Sequence, residues 1–417
     1  MHARQVGFAA VLAAASLHAT CAWAEEGQPL FSVSGFGTLG VIHSDNDKAD
    51  YLVDAFHPDG AGHTRRWSAD GDSRVGLQLT SNLSSHFSAV VQVVAEQRYD
   101  GTYRPGVEWA NLKFSITPDL SIRAGRVVLP IFMVTDSRKV GYANPWVRPP
   151  VEVYSLVPVT SNDGIDASYR MRLGEATHTF QVTLGRSDSR FPNSAGLGSG
   201  TAKARKLVAF VDTFERGFFT ARLNYGQARL TIDEYTPLSD AFRIFGPQGA
   251  ALADKYGVMD KRVDFVGFGA AYDPGSWFVT AEWADFNTRS IIGKKNAWYA
   301  SGGYRFGKAT PYLTYARMKP DSNTSDPGLS LAGLPPQLAG LGAQLNATLN
   351  AQLAAIPAQS TVSVGVRWDF MRSAALKLQY DRVSLGSSSH GTFGNLQPGY
   401  RTGGRVQLFS AAVDFLF

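Results

Sequence analysis

The chain has 417 residues, a formal net charge of +5, 44% hydrophobic and 12% aromatic residues, and one cysteine, Cys21. So mild a basic excess excludes the dense positive surface that nucleic-acid binding needs, and one cysteine excludes a disulfide framework. After Ala24 no apolar run approaches the roughly 18 residues of a spanning helix, so any membrane passage would have to be made by strands.

The first 24 residues read as a secretory signal. Arg4 supplies a positive start, Val6–Leu17 is free of charge and mostly apolar, and Ala22-Trp23-Ala24 gives a small-x-small cleavage pattern before Glu25. A lipoprotein signal ending at Cys21 is the competing reading, but His18 stands where such a signal carries Leu. Cleavage after Ala24 leaves one domain, 25–417, with no cysteine and a charge of +4 once Arg4 is lost.

Beyond that point the pattern is alternation. Val75, Leu77 and Leu79 alternate with Arg74, Gln78 and Thr80; Leu112, Phe114 and Ile116 alternate with Asn111, Lys113 and Ser115. Ile165, Ala167, Tyr169 and Met171 oppose Asp166, Ser168, Arg170 and Arg172, and Val362 to Phe370 repeats the pattern. Period two with one apolar face means half-buried strands. In chain order the predicted strands are 31–42, 73–82, 86–98, 107–117, 120–126, 164–172, 178–186, 206–214, 217–228, 262–272, 276–288, 296–306, 309–318, 361–370, 374–384 and 406–417. Their number, sixteen, is even, and most approach the roughly 9–11 residues of a tilted spanning strand.

The connections sort by length. Odd-numbered ones are long (43–72, 99–106, 127–163, 187–205, 229–261, 289–295, 319–360 and 385–405), whereas even-numbered ones hold two to five residues, such as Asp273-Pro274-Gly275. Long loops at one end and short turns at the other define an outer-membrane barrel with the short turns periplasmic; a soluble sandwich has no reason to sort them so. The fold expected is therefore all-β: a transmembrane antiparallel β-barrel of 16 strands.

In the last strand Phe409, Ala411, Val413, Phe415 and Phe417 share one face. This end resembles the terminal strand of bacterial outer-membrane proteins, which implies recognition by the barrel assembly machinery through Phe417. With sixteen strands and a long third loop, the whole mature chain resembles the Gram-negative general porin family. The resemblance implies an outer-membrane location, contact with lipid and lipopolysaccharide, a homotrimer, no cofactor, and a third loop that folds inward to narrow the pore.

A charge on the lipid face costs about 2–4 kcal/mol at mid-bilayer, so charges belong to the lumen. Parity places Arg74, Arg98, Lys113, Arg123, Arg170, Arg172, Arg222, Arg367 and Lys377 inside, with Glu96, Asp166, Glu282, Asp369, Asp381 and Asp414. Nine bases against six acids give a water-filled lumen with a weak anion preference; the alternative is that they pair across strands and stiffen the wall. Loop 127–163 carries five prolines and the anchors Phe132, Tyr142, Trp146 and Tyr154. Folded inward, its Asp136 and Glu152 would face Arg74, Arg98, Arg123 and Arg126 and set a transverse field at the eyelet. It departs from the acidic Pro-Glu-Phe-Gly type of constriction loop seen in several general porins.

Leu338, Leu341, Leu345, Leu349 and Leu353 recur at helical spacing within an uncharged stretch of the seventh loop, so a helix is expected near 337–355, tucked over the barrel rim or against a neighbouring subunit or, more sharply, as a hydrophobic lid guiding apolar substrates. Gly35-Phe36-Gly37-Thr38-Leu39-Gly40 spells a dinucleotide fingerprint without the preceding strand and following helix that it requires; its glycines suit close packing of a curved first strand. Asp45, Asp47 and Asp50 with His43, His57 and His63 lack calcium-loop spacing. His86 and His178 flank short turns, far from where an outer-leaflet hydrolase would need a Ser–His pair. The reading is a passive diffusion channel for small hydrophilic solutes. A substrate-specific channel for anionic nutrients such as carboxylates, and a closed barrel acting as an adhesin, are the alternatives.

Overall fold

The computed structural model describes residues 30–192 and 199–417; the expected signal peptide lies outside them. Among the described residues sixteen long antiparallel strands close into one barrel. They are β1 (Phe31–Ser44), β2 (Arg74–Asn82), β3 (Phe87–Glu96), β4 (Gly106–Ser115), β5 (Leu120–Val128), β6 (Ser161–Leu173), β7 (Ala176–Pro192), β8 (Ser199–Arg216), β9 (Phe219–Ile232), β10 (Lys261–Tyr272), β11 (Trp277–Thr288), β12 (Lys294–Tyr304), β13 (Ala309–Pro320), β14 (Gln359–Met371), β15 (Ala374–Leu385) and β16 (Arg405–Leu416). Each pairs with the next, and β1 closes on β16 with Phe36 opposite Leu416 and Ser44 opposite Leu408.

The alternation explains this choice of structure. Outward residues such as Leu313 and Val364 are 57% and 53% exposed and have only lipid to bury them. Closure leaves no unpaired strand edge, as a bilayer demands. At the short-turn end Phe218, Tyr272, Trp277, Tyr304, Phe306 and Trp368 form an exposed aromatic girdle, with Tyr304 and Phe306 centroids 4.5 Å apart. Trp298 and Tyr315 pair at 5.3 Å nearer the other end. Such belts mark the two membrane interfaces.

The closing seam explains the glycines of the apparent fingerprint. A Cβ on Gly35 would lie 2.3 Å from the Phe417 ring, and one on Gly37 2.3 Å from the Phe415 ring. The terminal residue is itself fastened: Gly35 N donates to Phe417 O at 2.7 Å and Phe417 N to Gly35 O at 3.0 Å.

The connections differ from expectation in three respects, two at the long-loop end and one at the short-turn end. The stretch 187–205 is not a loop: β7 and β8 continue as a ribbon to Pro192 and from Ser199, with register shifts between Gly185 and Ser187 and between Arg205 and Val208. The fourth short turn is Gly217-Phe218, not Glu215-Arg216, with Gly217 at φ +57°, where a side chain would be strained. The fifth loop carries two helices, α1 (Thr236–Arg243) and α2 (Gly246–Tyr256), that the alternation did not announce.

The expected seventh-loop helix is α3 (Pro336–Ala354). Its Leu345, Leu349 and Leu353 pack with Phe242, Leu252 and Val258 of the fifth loop. Asp50–Tyr51 and Ala61–Gly62 of the first loop form a small sheet with Phe393–Gly394 of the eighth. The first-loop acids are engaged there: Asp50 accepts from Thr64 and Asn395, and Asp45 from Gln407.

Candidate functional site: a lumen crossed by the third loop

Loop 129–160, between β5 and β6, lies against inward-facing side chains on both sides of the barrel. A loop inside a polar lumen must satisfy its own backbone, and wall residues do that. Arg222 on β9 donates to Phe132 O at 2.5 Å, and Met133 N donates to Glu282 Oε1 on β11 at 2.9 Å. Lys377 on β15 donates to Gly141 O (2.7 Å) and Trp146 O (2.8 Å) while pairing with Asp414 on β16 at 2.7 Å. Arg367 on β14 donates to Tyr142 O and Asn144 O, is held by Asp369, and stacks over the Tyr142 ring.

Loop side chains reach back to the wall. Arg148 makes a bidentate pair with Asp72 (2.9 and 2.6 Å), approaches Asp381 at 3.4 Å and donates to Ser410. Burial alone would lower the pKa of that guanidinium, but the Asp72 carboxylate outweighs it and raises the value above the usual range. On the neighbouring strands Lys139 sits between Glu96 on β3 (2.5 Å) and Glu108 on β4 (2.7 Å), and these carboxylates likewise overcome its desolvation and raise its pKa. Three of the four expected aromatic anchors enter an apolar cluster: Phe132, Trp146 and Tyr154 pack with Phe265, Phe278 and Tyr299, and Trp146 Nε1 donates to Ser301 Oγ at 2.8 Å. Tyr142 instead donates to Arg372 O.

The sequence-derived residues divide sharply. Arg123 is bidentate with the buried Asp166, which also accepts from Gln181. Arg74 stands 3.8 Å from Glu96, and Arg172 pairs with Asp119 of a short turn at 3.3 Å. Arg98 lies past the end of β3, in the turn before β4, where it borders a 940 Å³ cavity at the rim with Arg104, Arg126 and Arg190. Lys113 and Arg170 are exposed on inward positions of β4 and β6, and neither is in an ion pair among the described residues. Asp136 is exposed on the loop and near enough to Arg123 to act on it electrostatically.

Two placements are corrected. Glu152 does not face the arginines: it is 3% exposed and accepts hydrogen bonds from Gln359 and Thr361 of β14. Burial pushes its pKa up, against those hydrogen bonds, which lower it. Arg126 does not share the face of Arg123. The register sets it opposite Ala110 and Asp163, on the face of the exposed Leu112 and Ile165, and it makes a bidentate pair with Asp163 near the rim. The pairing of Lys139 and Arg148 of the loop with Glu108 and Asp72 of the wall has no signal in the sequence, since nothing local marks which residues meet inside a lumen. His178, on the outer face near a short turn, contacts Asp212 at 3.1 Å.

These features define a class: a sixteen-stranded outer-membrane β-barrel whose lumen is crossed by its third loop. The chain matches the family model of the Gram-negative porins over residues 8–414 and belongs to that family, whose members are outer-membrane channels for passive diffusion. Similar solved structures include the outer-membrane channel DcaP of Acinetobacter baumannii (12% identity, TM-score 0.54, 93% of this chain and 97% of that one). Others are OmpT of Vibrio cholerae (11%, 0.51, 94% and 99%) and OmpF of Salmonella typhi in complex with daunomycin (13%, 0.51, 93% and 97%). At such identities the likeness carries the fold alone. No curated protein matches the sequence.

Proposed function

We propose that the protein is a porin for small hydrophilic solutes with a weak preference for anions. The carrying observation is an uneven pairing of lumen charge. Five of the six inward acids contact a cation: Glu96 Lys139, Asp166 Arg123, Asp369 Arg367, Asp381 Arg148, and Asp414 Lys377. Glu282 is held by Met133 N and the Tyr154 hydroxyl. Arg98, Lys113 and Arg170, by contrast, have no carboxylate in contact among the described residues, and Arg222 serves a carbonyl and a hydroxyl. Unpaired cations near the pathway bias which ions enter, while the concentration gradient drives the flux. Arg123, Asp136 and the carbonyls of the third loop would form the constriction.

Two further assignments belong to this reading. The chain is exported by a signal peptide cleaved after Ala24, so the mature protein begins at Glu25; intact mass of the outer-membrane form tests this. It assembles as a homotrimer, as a similar structure of Vibrio cholerae OmpT is described in trimer form (11% identity, TM-score 0.50). The function is tested by single-channel recording of refolded protein under a salt gradient. Stable current steps with an anion-leaning reversal potential are expected, moving toward cations in Lys113→Gln/Arg170→Gln. Absence of current from folded protein would refute the channel reading, and an unmoved potential would refute the role of those two cations.

A further inference from the structure

The lumen of a water-filled barrel is normally polar, yet one sector here is not. On the long-loop side of the third loop, the inward positions of β8 to β11 present Leu207, Ala228, Val263 and Phe286 to a cavity of 380 Å³. Leu129 and Leu156 of the third loop also line it. This size lies within the range of small-molecule sites. A hydrophilic solute gains nothing from such a surface, whereas an apolar group leaves water there.

One cation borders the cavity without a counter-charge. Lys295 on β12 directs its ammonium at the Phe286 ring, 5.2 Å from the centroid, and has no ion-pair or hydrogen-bond partner among the described residues. Its neighbour Lys294 shows what a satisfied lysine looks like here, paired with Asp321 at 2.7 Å and Asp285 at 3.5 Å. Glu234, the other charged group at the cavity, has a partner of its own.

We propose that this cavity is a binding site for an amphipathic monocarboxylate, an aryl or medium-length alkyl chain carrying one carboxylate. The apolar body lies between the third loop and β8–β11, and the carboxylate meets Lys295. A dicarboxylate would need a second unpaired cation, and a sugar would need a ring of donors and acceptors; the cavity offers neither in its apolar sector. Because the third loop lines the cavity, a bound molecule rests beside the constriction and is concentrated before passage. Ile232, Tyr235 and Ile292 border the cavity and also pack against the cluster joining α1, α2 and α3, so the loop helices form its outer wall. The inference rests on the diffusion-channel reading in one respect, that solutes reach the vestibule through water.

The test is equilibrium binding of 4-phenylbutyrate to the refolded full barrel in detergent, followed by ligand-observed NMR, with acetate and 4-phenylbutyramide as comparators. Saturable binding of 4-phenylbutyrate is expected, with none for acetate over the same concentrations. Lys295→Met should weaken 4-phenylbutyrate at least tenfold and leave the amide unchanged, and Ala228→Phe, which fills the cavity, should remove both. Equal binding of acetate, or no loss in Lys295→Met, overturns the proposal whether or not the cavity-filling variant folds. The same preparation is placed in a planar bilayer. Current without saturable binding overturns the site and leaves the channel; saturable binding without current supports the site and overturns the channel.

Discussion

Lys377 is the most exacting test of how the third loop is held. Its side chain is fully buried, and its ammonium serves Gly141 O, Trp146 O and Asp414 at 2.7 to 2.8 Å. Asp414 also accepts from the Thr38 hydroxyl at 2.5 Å. Lys377→Met preserves much of the side-chain length but strands a buried carboxylate and two loop carbonyls. Breaking a buried pair from one side costs about 3–5 kcal/mol, and at 1.4 kcal/mol per decade that is roughly a thousandfold shift toward a loop released from β15 and β16. Single-channel records of Lys377→Met should show frequent transitions between conductance levels that the parent lacks, together with a lower temperature of barrel unfolding in detergent. The double variant Lys377→Met/Asp414→Asn removes the uncompensated charge and should recover most of the loss, since the two residues act as a unit. A quiet parent-like current and unchanged melting in Lys377→Met would refute the assignment of the ammonium as a loop clamp.

The remaining predictions follow from the same geometry. The first-loop pair Asp54–His57 (2.8 Å) makes the vestibule pH-sensitive: burial would lower the His57 pKa, but Asp54 raises it above 6.5, and His57 in turn lowers Asp54 below 3.8. The His57 contribution is complete below pH 6.5 and lost as pH rises through its raised value, while that of Asp54 is present above pH 3.8 and lost as pH falls through its lowered value. The melting difference between the parent and His57→Gln should therefore be largest between those limits and shrink on either side; a pH-independent difference would refute it. Deleting 330–356 removes α3 and one wall of the helical cluster, so conductance or solute uptake should rise, and no change would reduce α3 to a packing element. Gly35→Val drives a side chain into the Phe417 ring at the closing seam and should lower the yield of heat-modifiable folded barrel; normal folding would remove the steric account of that glycine.

The barrel was legible because each strand repeats one instruction, apolar out and polar in, and a lipid surround punishes every exception. Legibility fails where that solvent ends. Ser187-Asp188-Ser189-Arg190 extends β7 into water, where both faces are polar and alternation vanishes. The helices α1 and α2 did leave a local mark, since Thr236-Pro237 and Gly246-Pro247 place proline in a first turn. Arg126 was misplaced for an avoidable reason: three residues from Arg123, it must take the other face of a strand. Glu152 is different in kind, because its partners Gln359 and Thr361 lie more than two hundred residues away across the lumen and no local pattern announces them.

The division of lumen charge into paired and unpaired groups bears on how selectivity and pore size are separated. Buried ion pairs are weak contributors to stability relative to apolar packing, but they fix geometry, and Arg148, Lys139 and Lys377 tie the third loop to the arc of wall that runs from β15 through β16 and β1 to β4. Buried pairs are also poorly screened by salt, whereas exposed charges lose their reach when the Debye length falls to about 3 Å at 1 M. Raising the salt concentration should therefore abolish the bias set by Lys113 and Arg170 without changing the largest solute that passes. Were the exclusion size to grow in step with the loss of selectivity, the third loop would have to be held by the same exposed charges that choose the ions, and the buried clamps would be incidental.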